Sequence, residues 1–477
     1  MNTHAIVRLF LSCRTSAGLL LRYLNRPLCL LLFIIAACAP KPVQKDVPAE
    51  VPEAFSLSGE ATMPDRWWQA FGDQRLNALV DTSLQDNLNL LTAYARLEAA
   101  EAVVRRESSS LFPQVDAGAQ GGISRPEPDF VGGENVRLGF NAAYELDLWG
   151  RIRASRDAEI YRARATLQDF RTASLSLTAE VVRTWFQLQA AWTQLRLAED
   201  QIANNEKILE LIAARFRSGM VRGVDLLRQR QLLESTRDLA VRAESRVAVL
   251  EHRLAILLGR PPRQPIAYEP DTLPSPPPLP ETGLPAELVT RRPDIRQAYA
   301  QLQAADRDVA VAVTAQYPRF TITTSLQARS NNFENLFNNW AYSLGGNLLA
   351  PLFYGGRLSA EVDRTEAVMN QQLNQYGQAV LVAFREVEDA LVQEQKQKER
   401  IEIILKQVEL SRRAYEQLQV EYIYGFSDYL DVLTAQNTEQ QLRRDLVEAR
   451  LALLEFRIAL YRALAGGFET RIESEES

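Results

Sequence analysis

VRLGFNAAYELDLWGR, residues 136–151, carries the strongest structural signal in this 477-residue chain. Apolar residues alternate with polar or small ones along most of the stretch, which predicts a β-strand with one apolar and one polar face. The apolar positions are Val136, Leu138, Phe140, Ala142, Tyr144, Leu146 and Leu148. At about 3.3 Å per residue, such a strand is long enough to cross the hydrocarbon core of a bilayer at the tilt of a membrane barrel.

A change from such a strand to a long helix occurs twice, because the chain carries an internal repeat with a spacing of about 206 residues. The matching positions include Phe112 and Tyr317, Gly139 and Gly345, Gly150 and Gly356, Gly219 and Gly425, and Asp225 and Asp431. Their common order and nearly constant spacing indicate a duplication. Each copy is predicted to contain a helix, a strand, a loop, a second strand, a long helix, a tight turn and a final helix.

Two strands are predicted in each copy, and aromatic residues lie near their ends, as in the girdles of membrane barrels. The four predicted strands are about 115–124, 136–148, 320–329 and 340–352. An ordinary soluble sandwich is the alternative arrangement for these strands. The small residues on their polar faces, such as Gly118, Gly139 and Ser325, favour a water-filled lumen.

Two long helices are predicted over about 151–218 and 357–424, and each is roughly 100 Å long at 1.5 Å per residue. No Pro interrupts either one. Their partner helices carry apolar residues at heptad spacing, which predicts coiled-coil seams. Each helical pair turns at Gly219 or Gly425, where the chain needs a left-handed residue after the helix. The helix that opens the first copy is predicted over about 75–109.

Composition argues against several classes of function. The net charge of -6 and the pI of about 5.4 argue against nucleic acid as a partner. All three cysteines lie within the first 38 residues and the chain has two histidines, so the ligands of a structural zinc site are lacking. No nucleophile and base occur in a pattern that predicts an enzyme. We therefore expect neither catalysis nor a bound metal.

The first 37 residues are typical of a bacterial signal peptide, because arginines precede an apolar run at 28–37 that is too short to span a membrane as a helix. The run ends in Ile35-Ala36-Ala37-Cys38, which resembles a lipoprotein box; a plain signal peptide with an incidental cysteine is the alternative. We expect a covalent lipid on Cys38 and no other cofactor. No other run approaches 18 apolar residues, so further membrane contact must come from strands.

Four strands are too few to close a barrel. An open sheet edge in hydrocarbon leaves backbone groups unpaired, and the smallest single-chain barrels have about eight strands. If these strands lie in a membrane, the chain must therefore share one barrel with identical copies. From the residues alone, a dimer, a trimer and a tetramer all remain open.

Three longer motifs point to one family. They are YELDLWGRIR at 144–153, RRPDIRQAYAQLQAADRDVAVAVTAQYPRFTI at 291–322 and PLFYGGRLSAEV at 351–362. With the lipoprotein box, they resemble the outer membrane factor family, and specifically its NodT/OprM-like lipoproteins, which are related to TolC. The resemblance covers about residues 38–466. It implies a mainly α fold with membrane β: a homotrimer in which four strands per chain form a shared 12-stranded β-barrel and the long coiled-coil helices form a periplasmic α-barrel.

The resemblance also implies a function. It is that of an outer-membrane exit duct in a tripartite efflux system, which passively conducts drugs or other toxic small molecules. The implied partners are a periplasmic adaptor (membrane fusion) protein and an inner-membrane pump of the resistance-nodulation-division (RND) class, which supplies the energy. Residue 39 is Ala rather than Asp, which by similarity to lipoprotein sorting signals implies a lipid anchor in the outer membrane. The alternatives are the duct of a type I protein secretion system and a non-conducting coiled-coil scaffold lipoprotein.

Two sets of site residues are expected at the helical turns. In a symmetric oligomer, Asp428 and Asp431 would form rings of like charge that attract cations at a narrow point. Capping of the following helix is the alternative role for these carboxylates. The resemblance implies that Asp428 and Asp431 form the periplasmic gate. It also implies that the adaptor docks around both turns, with the contacting residues Arg217, Gly219, Asp225, Tyr424 and Gly425.

The expected domain organisation follows from these features. It consists of a signal peptide (1–37), a lipidated tether (38–73), the first repeat (74–260), a Pro-rich linker (261–285), the second repeat (286–466) and a C-terminal tail (467–477). The linker contains ten prolines and is expected to be extended rather than packed.

Overall fold

The computed structural model describes residues 52–124, 133–262, 273–330, 333–468 and 470. The expected signal peptide and the expected lipidation site, Cys38, lie outside the described residues, as do the first half of the Pro-rich linker and most of the C-terminal tail. Over these described residues the protein is mostly helical (71%), with one antiparallel sheet of four strands. This agrees with the predicted combination of long helices and four strands.

The two copies contain the same elements in the same order. In the first copy these are α1 (Gln74–Asp86), α2 (Leu88–Ser109), β1 (Gln114–Ser124), β2 (Gly133–Leu146), α3 (Arg151–Arg217) and α4 (Gly223–Leu257). In the second copy they are α5 (Pro285–Arg291), α6 (Pro293–Thr314), β3 (Arg319–Ser330), β4 (Trp340–Leu349), α7 (Arg357–Ile423) and α8 (Tyr429–Leu464). Short 3-10 helices span Trp67–Phe71 and Phe333–Asn338.

The chain divides into two compact units, and the four strands belong to the one that contains residues 102–160 and 303–370. The strand order is β1-β2-β3-β4, and every neighbouring pair is antiparallel. The register places Phe140 opposite Ala117 and Leu326, and Leu326 opposite Tyr342. Because in-register side chains lie on the same face, the apolar positions of all four strands form one face, as the alternation predicts.

The last strand of the sheet is exposed along its whole length. All ten residues of β4 are exposed, and Tyr342 and Leu344 retain 84% and 72% of their accessible surface. β4 lies at one edge of the sheet and β1 at the other. Contiguous exposed apolar surface next to an open edge is typical of an interaction surface.

The second compact unit contains the described parts of residues 47–101, 161–302 and 371–477, and most of these residues are helical. Its core includes Trp67, Trp68 and Trp185, each at most 1% exposed. The heptad seam predicted for α4 consists of Leu226, Leu233, Ala240, Val247 and Leu254, and all of these except Leu226 are buried. The seam is therefore confirmed as a packing surface.

The predicted opening helix 75–109 is interrupted at Asn87, which corrects its expected length. The backbone of Asn87 is extended, with φ -69° and ψ 118°. Its side-chain oxygen accepts hydrogen bonds from the backbone N–H groups of Asn89 and Leu90, and its amide donates to the carbonyl oxygen of Leu257. Asn87 thus caps α2 and fixes it to the end of α4, which a uniformly helical pattern does not reveal.

The segment expected to be a tether is packed over its described part, residues 52–73. Besides the two buried tryptophans, Asp73 caps α1 and accepts a hydrogen bond of 2.8 Å from the indole of Trp185. Gly59 donates to the carbonyl oxygen of Pro280, so the segment runs along the linker. Over these residues the segment is therefore held against the helices by buried aromatic side chains and hydrogen bonds, and it is not a free tether.

The described part of the linker is extended, but it is fixed to the helices by a buried charge. Arg457 is fully buried and donates to the carbonyl oxygens of Pro277 and Pro278. The same guanidinium binds both carboxylate oxygens of Glu394, which also binds Lys398. Burial acts to raise the pKa of Glu394, but the hydrogen bonds and charges of Arg457 and Lys398 outweigh it and lower the pKa. The expectation of an unpacked linker is therefore wrong for this part.

Candidate functional sites on the sheet and at the helical turns

The second face of the sheet is polar and its side chains are hydrogen-bonded across the strands. Asn141 lies in register with Ser325, and Ser325 with Ser343. The hydroxyl groups of the two serines are 2.8 Å apart, and the amide of Gln327 donates to the Asn141 side-chain oxygen at 2.9 Å. The predicted polar face therefore carries side chains that are hydrogen-bonded to each other across β2, β3 and β4.

Glycines leave room along this polar face. Gly118 and Gly139 are paired across β1 and β2. A Cβ atom on Gly139 would meet the backbone oxygen of Leu326 at 2.6 Å and the side chain of Gln327 at 2.7 Å, whereas nothing lies within 4 Å of one on Gly118. Glycine at 139 therefore permits the close approach of β3, and glycine at 118 leaves open space.

The motif YELDLWGRIR closes the turn between β2 and α3. Asp147 accepts hydrogen bonds from the backbone N–H groups of Ile152 and Arg153, which begin α3, at 2.9 and 3.0 Å. The indole of Trp149 donates to the carbonyl oxygen of Pro318, next to β3, at 2.7 Å. Gly150 has φ +80°, a conformation that favours glycine. The motif thus fixes the direction in which the helix leaves the strand.

The motif RRPD has an equally local explanation. Arg292 is 6% exposed and donates to the carbonyl oxygen of Ala463 at the end of α8. It also binds the carboxylates of Asp294 at 2.6 Å and Glu386 at 2.7 Å. A cation that satisfies the last carbonyl groups of a helix stabilises its C-terminus. Two of the three longer motifs that carry the resemblance therefore contain residues that fix neighbouring elements to one another.

The two helical turns have the same backbone geometry. Gly219 and Gly425 have φ +75° and +84°, as the predicted left-handed caps require. One residue further on, Met220 N–H donates to the carbonyl oxygen of Arg215 at 2.9 Å, and Phe426 N–H donates to that of Glu421 at 2.8 Å. Both turns use the hydrogen-bond pattern that commonly ends a helix at a glycine.

The site residues expected at the first turn divide into exposed and buried ones. Arg217 and Gly219 are exposed. Asp225 is only 3% exposed, and its carboxylate accepts hydrogen bonds from the backbone N–H and the guanidinium of Arg222, the residue that precedes α4, which is one half of a capping box. A carboxylate buried in this way offers a partner almost no surface. Asp225 therefore holds the turn together, and its expected contact with an adaptor stays a prediction.

The site residues expected at the second turn are all exposed. Asp428 occupies the N-cap position of α8, but its side chain accepts no cap hydrogen bond, so helix capping does not account for this carboxylate. Instead it lies 3.8 Å from the guanidinium of Arg222 in the first turn. Asp431 lies in the first turn of α8, and Tyr424 and Gly425 lie just before it.

A buried polar network joins the helices behind the turns, and the sequence analysis did not find it. Asn205 is fully buried and accepts a hydrogen bond of 2.6 Å from the amide of Gln436, while Gln229 donates to its backbone oxygen at 3.0 Å. The hydroxyl of Tyr429 donates to Gln229 at 2.6 Å. Burial, together with neighbouring tyrosines and Asp225, raises the pKa of Tyr429, so its hydroxyl stays protonated. Polar residues at positions that face the partner helices were the sequence signal that could have predicted this network.

No helix in the described ranges is both long and apolar enough to cross a membrane.

Comparisons with known proteins agree with this architecture. The chain is 32% identical to the pyoverdine export outer membrane protein OpmQ of Pseudomonas aeruginosa, over 93% of this chain and 96% of that protein. It is 28% identical to the cation efflux system protein CusC of Escherichia coli O6:H1, over 93% and 98%. The solved outer-membrane channel OprN superposes with a TM-score of 0.83 at 29% identity, over 90% and 99%.

The family comparison covers both copies of the repeat. Residues 79–260 and 284–466 match the family described as outer membrane efflux protein, which is more than half of the chain. The chain therefore belongs to the outer membrane efflux protein family.

Proposed function

We propose that three copies of this chain share one 12-stranded β-barrel in the outer membrane and act as the exit duct of a tripartite efflux system. The observation that carries the proposal is the sheet itself. Its last strand and much of its apolar face, including Phe140, Leu326 and Tyr342, are exposed in the single chain, while its opposite face carries polar groups that are hydrogen-bonded across the strands. One face thus suits lipid and the other suits water.

Closure of the barrel follows from the two free edges. β1 and β4 each have one neighbouring strand, so each presents a row of unpaired backbone groups on its other side. Such edges are costly in hydrocarbon, and pairing β4 of one copy with β1 of the next removes all of them. Three copies of four strands give 12, a size that leaves room for a lumen. The resemblance to the outer membrane factor family favours this number over two or four.

The proposed gate lies at the second helical turn. Asp428 and Asp431 are exposed, so three copies would place six carboxylates around a common axis. Like charges at a narrow point attract cations and repel one another, which suits a constriction that opens when a partner moves the helices apart. Docking of a periplasmic adaptor is proposed at Arg217 and Gly219 of the first turn and at Tyr424 and Gly425 of the second.

The cargo is proposed to be small molecules delivered by an RND-type inner-membrane pump. Relatives of this chain are named for pyoverdine export, for cation efflux and for efflux of solvents and toluene. These cargoes differ widely, which is expected of a passive duct whose specificity lies in its pump. No catalysis is proposed for this chain.

The proposed duct is tested by purification and reconstitution. We expect the wild-type protein to migrate as a trimer in detergent by light scattering and to form conducting channels in planar lipid bilayers. Replacing Leu344 and Leu348 on β4 by Asp, both exposed and on the apolar face, should abolish insertion without preventing the helices from folding. A monomer that remains soluble and never enters lipid would contradict the proposal.

A lipid anchor at Cys38 is a separate part of the proposal. Metabolic labelling with radioactive palmitate should mark the wild-type protein and not the Cys38→Ser variant. Cys13 and Cys29 precede the expected cleavage site, so the mature chain keeps no second cysteine to take the label. Equal labelling of both proteins would rule out the anchor while leaving the channel untouched.

A further inference from the structure

Two arginines are paired side by side on the polar face of the sheet. Arg137 on β2 and Arg329 on β3 occupy directly opposite positions in the register. Like charges at opposite positions repel each other across neighbouring strands. Within the described ranges, neither guanidinium forms an ion pair or a side-chain hydrogen bond. The pair therefore presents two permanent positive charges without a counter-charge from the described chain.

The space beside Arg137 is a recess rather than a flat surface. Gly118 and Gly139 are the next pair along the strands on the same face, and they have no side chains to fill it. The recess measures about 180 Å³. Its polar walls are Gln120, Arg137, Asn141 and Gln327. This volume is below that of a typical site for a whole drug, about 300 Å³ or more, but it accepts a single carboxylate or phosphate group.

The chemistry of the recess favours an anion. Arg137 supplies a fork of N–H donors that matches a carboxylate or phosphate, and it stays charged at every physiological pH. The side chains of Asn141 and Gln327 share one hydrogen bond and keep further N–H groups. Asp116 on β1 is the register partner of Asn141, so a carboxylate stands at one end of the recess, about 13 Å along β1 from Gln120, the register partner of Arg137. The recess therefore combines N–H donors with a positive charge at its Arg137 end.

We propose that Arg137 and Arg329, with the recess beside Arg137, form a binding subsite for the carboxylate or phosphate group of an anionic small molecule on the wall of the channel. The subsite rests on the proposed function, because only a trimeric barrel places this face toward a lumen. Three copies then place six guanidinium groups in one ring near the β1–β2 and β3–β4 connections. A ring of arginines in a pore draws anions toward it and gives them a brief resting place.

The test measures block of the reconstituted channel by citrate, a compact carboxylate probe. We expect citrate to reduce the chloride conductance of wild-type channels, and sucrose, an uncharged probe, to reduce it far less at the same concentration. In the double variant Arg137→Gln with Arg329→Gln, the half-blocking citrate concentration should rise at least tenfold. The double variant with Lys at both positions should keep most of the block, because the charge remains.

The matched control is Arg319→Gln, which removes the same type of residue from the same strand, ten positions or about 33 Å from Arg329. It should leave the citrate block unchanged. Equal block of the wild type and the double Gln variant would overturn the subsite and leave the channel standing. Absence of any conductance in the wild type would overturn the proposed function itself, and with it the position of the subsite.

Discussion

The two helical turns have the same backbone geometry but differ in the charge and burial of their side chains. Both contain a left-handed glycine, and in both the next helix begins four residues after it. Residues 206 apart nevertheless have opposite properties: Arg222 corresponds to Asp428, and the buried Asp225 corresponds to the exposed Asp431. After a duplication, the backbone of the turn was kept and its surface chemistry diverged. The aspartate of the first turn is buried in hydrogen bonds within that turn, whereas the carboxylates of the second turn are exposed.

This difference separates geometry from charge. The glycine and the hydrogen bonds that follow it are requirements of any tight helical turn. A tight helical turn does not require particular charges, so the charged residues can differ between the two turns. The 3.8 Å approach of Arg222 to Asp428 links the two specialised turns within one chain. Variants that change one turn and leave its counterpart intact therefore test the comparison directly.

The largest expected effect on stability comes from a buried ion pair in the helical unit, and the effects of substitutions at the turns can be compared with it. Replacing Glu394 by Gln leaves the buried guanidinium of Arg457 without an opposing charge, which should cost about 3–5 kcal/mol of the free energy of unfolding. The exposed Glu409, which pairs with Arg413, is the control. Glu409→Gln should change stability by no more than about 1 kcal/mol. Thermal unfolding in detergent, followed by circular dichroism, measures both.

The same residue predicts a pH dependence. The pKa of Glu394 is lower in the folded protein than its usual value of 4.5, so its contribution to stability is complete above about pH 4.5. It is lost as the pH falls through the lower, folded-state pKa. The wild-type melting temperature should therefore drop between pH 5 and pH 3 by more than that of Glu394→Gln. Parallel curves for the two proteins would contradict this assignment.

The next effect tests the network that lies behind both turns. Asn205→Leu removes the acceptor of Gln436 and leaves buried polar groups unpaired, which should cost about 2–3 kcal/mol. Asn204 is exposed and adjacent, so Asn204→Leu is the matched control and should be nearly neutral. Equal melting temperatures for the two variants would show that the network contributes nothing to stability.

A smaller effect compares the two equivalent aspartates. Asp225→Asn weakens a buried capping box and should cost about 1–2 kcal/mol. Asp431→Asn changes an exposed carboxylate and should alter stability by less than about 0.5 kcal/mol. If both substitutions lower the free energy of unfolding equally, the different burial of the two aspartates does not affect stability.

The smallest effect on stability is expected for the double variant Asp428→Ala with Asp431→Ala, about 0.5 kcal/mol or less. Its effect should appear in planar bilayers instead, as a higher single-channel conductance, because a ring of mutually repelling charges has been removed. Glu409→Ala removes a carboxylate from α7 and should leave the conductance unchanged. Unchanged conductance in the double variant would remove both aspartates from the gate.

Much of the fold was predictable because its signals are local. Alternation of apolar residues identified the four strands, and heptad spacing with uninterrupted composition identified the long helices. The ends were less certain. The last strand stops at Leu349 rather than near 352, and Pro351, which cannot donate to a ladder, stands just beyond. The interruption at Asn87 was missed because an asparagine within a helical pattern is locally unremarkable.

The candidate sites were predictable only in part. The exposed residues of the second turn, Asp428 and Asp431, could be named from the repeat and the resemblance. The burial of Asp225 could not, because Asp225 and Asp431 both stand six residues after the glycine of their turn. Only the packing of the surrounding helices distinguishes them.

The amino-acid sequence alone determined the strands, the long helices and the glycine turns, because each depends on the spacing of residues a few positions apart. The recurrence of these patterns along the chain also showed the duplication. Tertiary structure alone decided which of two equivalent aspartates is buried, how Arg457 reaches the linker, and that Arg137 lies beside Arg329 although 192 positions separate them. Those outcomes depend on strand register and on helix packing. Both are properties of segments that meet only after the chain has folded.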